Sequence, residues 1–160
     1  MNIVFWLPAI CALLHITEEF VWPGGFSDWF RSYRPENALS FTPRFALRIN
    51  ALLIAVTVEL GWMGPESSIG VSLWLTLAAL LAGNALFHIV GTIRTRRYSP
   101  GTVTGAILYL PLCIWGFAHF LSNGEATPQL ALVSFAIGAS YNVWSFLVHR
   151  LRAASMAVQS

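Results

Sequence analysis

The chain has 160 residues, 56% hydrophobic and only 10% charged, with a mean hydropathy of +0.65. A soluble domain carries about 25% charged residues, so a water-soluble fold is excluded and an integral membrane protein is expected. The net charge of +2 rests on nine arginines with no lysine, spread along the chain with no clustered patch that would suit nucleic acid.

Five apolar stretches follow one another, at residues 3–22, 45–63, 69–93, 102–121 and 129–147. Each has about 19 to 25 residues, enough to cross a hydrocarbon core of about 30 Å as a helix. None alternates with a period of two, which excludes a β-barrel. The expected fold is all-α, a bundle of five transmembrane helices forming a single domain over residues 1–160. Trp22-Pro23-Gly24-Gly25 ends the first helix, because proline has no N–H for the next backbone bond. The long connection that follows, 23–44, carries Trp29, Phe30, Tyr33 and several arginines, and a short interfacial helix is expected there. Residues 64–68 make a tight hairpin, Ser99-Pro100-Gly101 separates helices three and four, and residues 122–128 separate four and five. The first segment lacks a basic leader and reads as a retained helix rather than a cleaved signal.

Arginine is asymmetric. Arg31, Arg34 and Arg44, then Arg94, Arg96 and Arg97, then Arg150 and Arg152 lie at alternate ends of the helices, while the other ends carry no basic residue. The positive-inside rule puts the N-terminus outside and the C-terminus in the cytoplasm, as a multi-pass protein of the cell's inner membrane.

The first segment ends on His15-Ile16-Thr17-Glu18-Glu19. Ionisable groups at membrane depth are costly, and positions three and four residues after His15 return to its face of a helix. At 1.5 Å per residue His15 and Glu19 lie roughly 18 and 24 Å from the outer end. Asn50, Asn84, His88 and Asn142 fall in the same layer from three other segments, as buried polar groups in hydrocarbon must.

His15-x-x-Glu18-Glu19, Asn84-x-x-x-His88 and Arg97-Tyr98-Ser99-Pro100-Gly101, in that order, resemble the HXXEE family of small bacterial membrane proteins. The resemblance covers nearly the whole chain. It implies a multi-helix integral membrane protein with an active site at these motifs.

From the residues, His15, Glu18, Glu19 and His88 form a candidate ligand set for one divalent metal ion, Zn, Fe or Mn. His15, Glu18 and Glu19 are also the candidate catalytic groups, with Asn84, Asn50, Asn142, Arg48, Arg97 and Tyr98 as supporting or substrate-contacting positions. The expected activity is a metal-dependent enzyme acting on a lipid or other hydrophobic small molecule, drawn from the surrounding membrane lipids into a cytoplasm-facing pocket. Three alternatives use the same residues: a metal-free acid–base isomerase or cyclase of an isoprenoid-like substrate, a proton or ion transporter, and a packing knot without catalysis. Arg48 either pairs with Glu18 or Glu19 or snorkels to headgroups. Arg97, in its motif, is a topology determinant or a phosphate binder. Glu59 is read as a capped group facing the bundle, and His119 and His149 as interfacial residues. Cys11 and Cys113 sit at similar depth, from which no disulfide follows.

Overall fold

A computed structural model describes residues 2–66 and 68–157; Met1, Ser67 in the 64–68 hairpin and the last three residues lie outside the described residues. The elements are α1 (Ile3–Phe20), α2 (Phe26–Tyr33), a 3-10 turn (Pro35–Ser40), α3 (Pro43–Met63), α4 (Ser68–Thr95), α5 (Thr102–Ser122), α6 (Pro128–Ala139) and α7 (Tyr141–Ala157). There is no strand among the described residues. Five helical spans are long and apolar enough to cross a membrane, α6 and α7 together making the fifth.

Three starts follow from side chains that supply the acceptors a first helical turn lacks. Asn2 accepts from the amide of Val4 at 3.0 Å, Thr42 from Phe45 at 3.2 Å and Thr127 from Leu130 at 3.2 Å. In the last two, proline follows the cap, where its missing N–H costs nothing. The fifth span differs from its expected bounds of 129–147. It breaks at Ser140 and runs on to Ala157. Hydropathy falls off where arginines enter, yet the backbone continues because its solvent-side residues need no apolar partner.

Helix α4 is the central element, with Trp74, Leu75, Ala78, Leu81 and Ala85 buried. Between helices in lipid the driving force is close packing rather than escape from water, and small residues permit it. At Gly138 on α6, a Cβ would come within 2.2 Å of the Thr76 carbonyl of α4. Trp74 donates its indole N–H to the Val4 carbonyl at 2.9 Å and ties α4 to α1. Beyond Ser140, α7 keeps some contact with α4 but packs mainly on the 3-10 turn, where Ser40 Oγ lies 2.6 Å from His149 Nδ1. His149, expected at the interface, is buried against protein, with Phe30, Phe41 and Phe45 around its ring. The helix expected in the first long connection is present as α2, and its Phe26, Trp29 and Phe30 are buried in a second apolar cluster with Phe41.

Because α7 diverges, a cavity of about 480 Å³ opens among α1, α3, α4 and α7. At the α3 surface the pairing alternative for Arg48 and the inward reading of Glu59 fail. Arg48 is exposed and makes no ion pair with Glu18 or Glu19, and Glu59 is exposed rather than turned into the bundle. Both follow from the way α3 packs, which turns Thr57, Leu60 and Gly61 inward and leaves these positions outside.

Candidate metal centre

One turn of α1 sets His15 and Glu19 on the same face, and one turn of α4 does the same for Asn84 and His88. Where these faces meet, Glu19 Oε1 lies 3.5 Å from His15 Nε2 and 3.1 Å from His88 Nε2. Ligand atoms of the three residues all fall within 4.8 Å of one another, and all three are buried. Asn84 Nδ2 lies 3.0 Å from His15 Nε2 and 3.4 Å from His88 Nε2. Phe26 and Trp29 of α2 cover the His88 ring, at centroid distances of 5.2 and 6.2 Å.

Both histidines are held from behind by hydroxyls. His15 Nδ1 is 2.9 Å from Thr104 Oγ1, and His88 Nδ1 is 2.9 Å from Ser99 Oγ. Thr104 donates its own hydroxyl hydrogen to Glu18 Oε2. An ionised carboxylate only accepts, so Thr104 Oγ1 must accept from His15 Nδ1–H. That fixes the His15 tautomer and leaves the Nε2 lone pair facing Glu19 and His88.

Glu18 has a different environment. Its Oε1 accepts from the Tyr98 hydroxyl and from the amides of Gly101 at 2.8 Å and Val103 at 3.1 Å, and its Oε2 from the Thr104 amide at 2.7 Å and the Thr104 hydroxyl. The carboxylate thus caps the N-terminus of α5, where free amides and the helix dipole favour negative charge. With both oxygens engaged, Glu18 is not among the clustered ligand atoms, which corrects its expected place as a ligand. It fixes Thr104, and through Thr104 the ring of His15. Burial, with the Glu18 carboxylate beside it, pushes the Tyr98 hydroxyl well above the ordinary tyrosine value.

The turn before α5 has a second task. Gly101 has φ 104°, and a Cβ on it would lie 2.7 Å from His88 Cε1 and 2.8 Å from His15 Cε1. Only glycine fits between the two rings with that backbone.

A family model described as "Protein of unknown function with HXXEE motif" matches residues 6–116. The chain belongs to the HXXEE family. It is also 25% identical over 128 residues to an uncharacterized protein, YrkK, of Bacillus subtilis (strain 168), covering 78% of this chain and 80% of that one. No solved structure matches it.

The HXXEE motif therefore splits its work. Its histidine and second glutamate enter the cluster, and its first glutamate holds the turn that carries Tyr98 and Gly101. Asn50 and Asn142 line the same cavity as His15, Glu19 and Asn84, so four helices do bring polar groups together; Asn142 also donates to the Gly83 carbonyl at 2.8 Å. Arg97 stands apart, exposed and 3.4 Å from Ser32 Oγ, outside the cavity lining. Sequence reasoning missed Thr104 and Tyr109, and named Ser99 in a motif without its contact to His88. The Tyr109 ring stacks on His15 at 4.4 Å and lines the cavity. A tyrosine at the depth of the polar layer was the available signal, masked by the many aromatics that only pack.

Two imidazoles and one carboxylate within ligand distance, each imidazole braced through its other nitrogen, fit one divalent ion. The Asn84 amide adjoins the same atoms; rotating it by half a turn would offer Oδ1 as a fourth oxygen donor. The remaining coordination would open to the cavity that His15, Glu19 and Asn84 line.

Proposed function

We propose that the protein is a membrane enzyme that holds one divalent metal ion, Zn, Fe or Mn, on His15, Glu19 and His88 and acts on a lipid or other hydrophobic small molecule in the adjoining cavity. The observation that carries this reading is the paired bracing of the two histidines by Thr104 and Ser99, which leaves their Nε2 atoms convergent on Glu19 Oε1. When bound, the ion would act as a Lewis acid on a substrate oxygen or lower the pKa of a water. Around it, Asn84 would orient the reacting group, and the apolar walls formed by Ile49, Leu53, Leu81 and Trp144 would hold an alkyl or isoprenoid chain. The arginine asymmetry supports a cytoplasmic position for the ends carrying Arg34, Arg94 and Arg150, in the inner membrane of a bacterium.

A metal-free second reading has its own support. The same atoms allow two separate hydrogen bonds, Asn84 donating to His15 and a protonated His88 Nε2 donating to Glu19, which leaves Glu19 and His88 as a proton acceptor and donor pair for an unsaturated substrate.

Elemental analysis separates the two. Untagged protein purified in mild detergent without chelator should carry near-stoichiometric metal, and the His15→Ala/His88→Ala variant, folded by circular dichroism, should carry none. Equal metal in both, or no metal in the parent even after incubation with Zn, Fe(II) and Mn, would overturn the metal reading in favour of the second.

A further inference from the structure

Five buried side-chain atoms among the described residues have no hydrogen-bond partner: Trp6 Nε1, Trp29 Nε1, Asn37 Oδ1, Tyr109 Oη and Arg152 Nε. Only Tyr109 and Asn37 belong to residues that line the cavity. In hydrocarbon no water is at hand to satisfy such groups, and a buried hydroxyl without a partner weakens the fold. Phenylalanine would fill the same space without that cost. A phenol retained there has a use outside the packing.

The position of Tyr109 says what that use is. It closes the π-helical stretch Gly105–Tyr109 of α5, a one-residue excess that resets which side chains face the bundle and that recurs at functional sites. Its ring is fully buried and stacked on His15, with the ring planes 30° apart. The hydroxyl is thus carried on a ring whose place relative to the His15–Glu19–His88 cluster is fixed by packing. Glu19 lines the same wall, and the arginines of the lining, Arg34 and Arg94, stand on other elements, so with no ion in place the end of the cavity beside Glu19 suits a neutral oxygen better than an anionic group.

We propose that Tyr109 donates its O–H to a neutral oxygen of the ligand, which makes the ligand an amphiphile entering polar end first, with a hydroxyl, carbonyl or ether oxygen at the cluster and its apolar chain against α3 and α7. This rests on the reading of the cavity as the substrate site, and it deepens that reading by naming the substrate class. Tyr109 is a specificity-determining residue: it distinguishes an oxygenated chain from the bare hydrocarbon that surrounds it in the membrane.

The test compares dodecan-1-ol with dodecane on the full chain and on Tyr109→Phe, each in lipid nanodiscs after chelation, with binding read by titration of the thermal midpoint. Each probe is compared between the two proteins in the same bilayer, so partition into lipid cancels. Loss of one hydrogen bond should weaken dodecan-1-ol about tenfold in Tyr109→Phe while leaving dodecane unchanged. Because the hydroxyl has no partner to lose, the unliganded variant should melt no lower than the parent. Equal affinity of the two proteins for dodecan-1-ol, absence of saturable binding by the parent, or a marked fall in the unliganded midpoint would each overturn the inference. The samples are metal-free, so the outcome is independent of whether the cluster holds an ion.

Discussion

Glu18 and Glu19 are neighbours in sequence that serve different partners: Glu19 Oε1 meets His15 and His88, while both oxygens of Glu18 are taken up by the Tyr98 hydroxyl and the first turn of α5. A step of one residue along a helix turns the side chain by about 100°, enough to carry it from the cluster to the loop behind it. The consequence is a division of labour that substitution can separate.

Glu18→Gln replaces an acceptor of five hydrogen bonds by an amide with one oxygen and two donors of its own. The N-terminus of α5 then faces N–H groups with N–H groups. The expected loss is about 2–3 kcal/mol of stability, read as a lower thermal midpoint in detergent. Glu19→Gln leaves the α5 cap intact and should abolish metal retention with a smaller thermal effect. Identical profiles for the two variants would contradict the division.

Ser99→Ala removes only the hydroxyl behind His88 Nδ1, since the Ser99 amide bonds Thr92 and its carbonyl accepts from Thr102 independently. Metal affinity should fall about 10- to 100-fold, with a stability change of about 1 kcal/mol or less. Competition with a calibrated chelator measures the first quantity and thermal unfolding the second; unchanged affinity would remove the bracing hydroxyl from the account.

Gly101→Ala asks a side chain to enter between His15 and His88 at a backbone angle that disfavours it. Left-handed strain costs about 1–2 kcal/mol and overpacking about 1–3 kcal/mol more. Both rings must shift, so the variant should lose metal together with stability. Gly138→Ala is the control: it should lower the midpoint by forcing α6 from the Thr76 carbonyl while metal stoichiometry holds in the folded fraction.

Alkaline stability should report Tyr98. Its hydroxyl is held protonated above the ordinary tyrosine value in the folded protein, so the folded state binds that proton more tightly than the unfolded one. The contribution is complete below about pH 10, the unfolded value, and is lost as pH rises beyond it. The parent should lose thermal stability more steeply than Tyr98→Phe between about pH 10 and 11; parallel curves would show that the bond to Glu18 carries no such linkage.

Much of the architecture is legible in the sequence because uninterrupted apolar runs, proline–glycine breaks and arginine-bearing ends are all local signals. The pairing of His15 with Glu19 and of Asn84 with His88 is legible for the same reason, being a helical repeat. What spacing cannot decide is which glutamate faces inward. Residues three and four after His15 lie on either side of its direction, and the choice depends on where the 98–104 turn docks, a contact more than eighty positions away. Thr104 was invisible for that reason, and Ser99, though within a motif, gave no sign of its partner. The outward face of Arg48 and Glu59 likewise depends on how α3 packs, and the burial of His149 depends on the 3-10 turn reaching α7.

The break at Ser140 divides the fifth span into a half that packs along α4 and a half that packs mainly on the 3-10 turn, meeting α4 where Asn142 donates to the Gly83 carbonyl. His15, Glu18 and Glu19 sit on α1 and His88 on α4, whereas Tyr141, Trp144 and Val148 of the facing wall sit on α7. Most of the facing wall is therefore carried on an element other than those of the cluster, with Asn142 as the link to α4. Substitution at Trp144 or Val148 would change the width of the cavity while leaving the contacts among His15, Glu19 and His88 as they are.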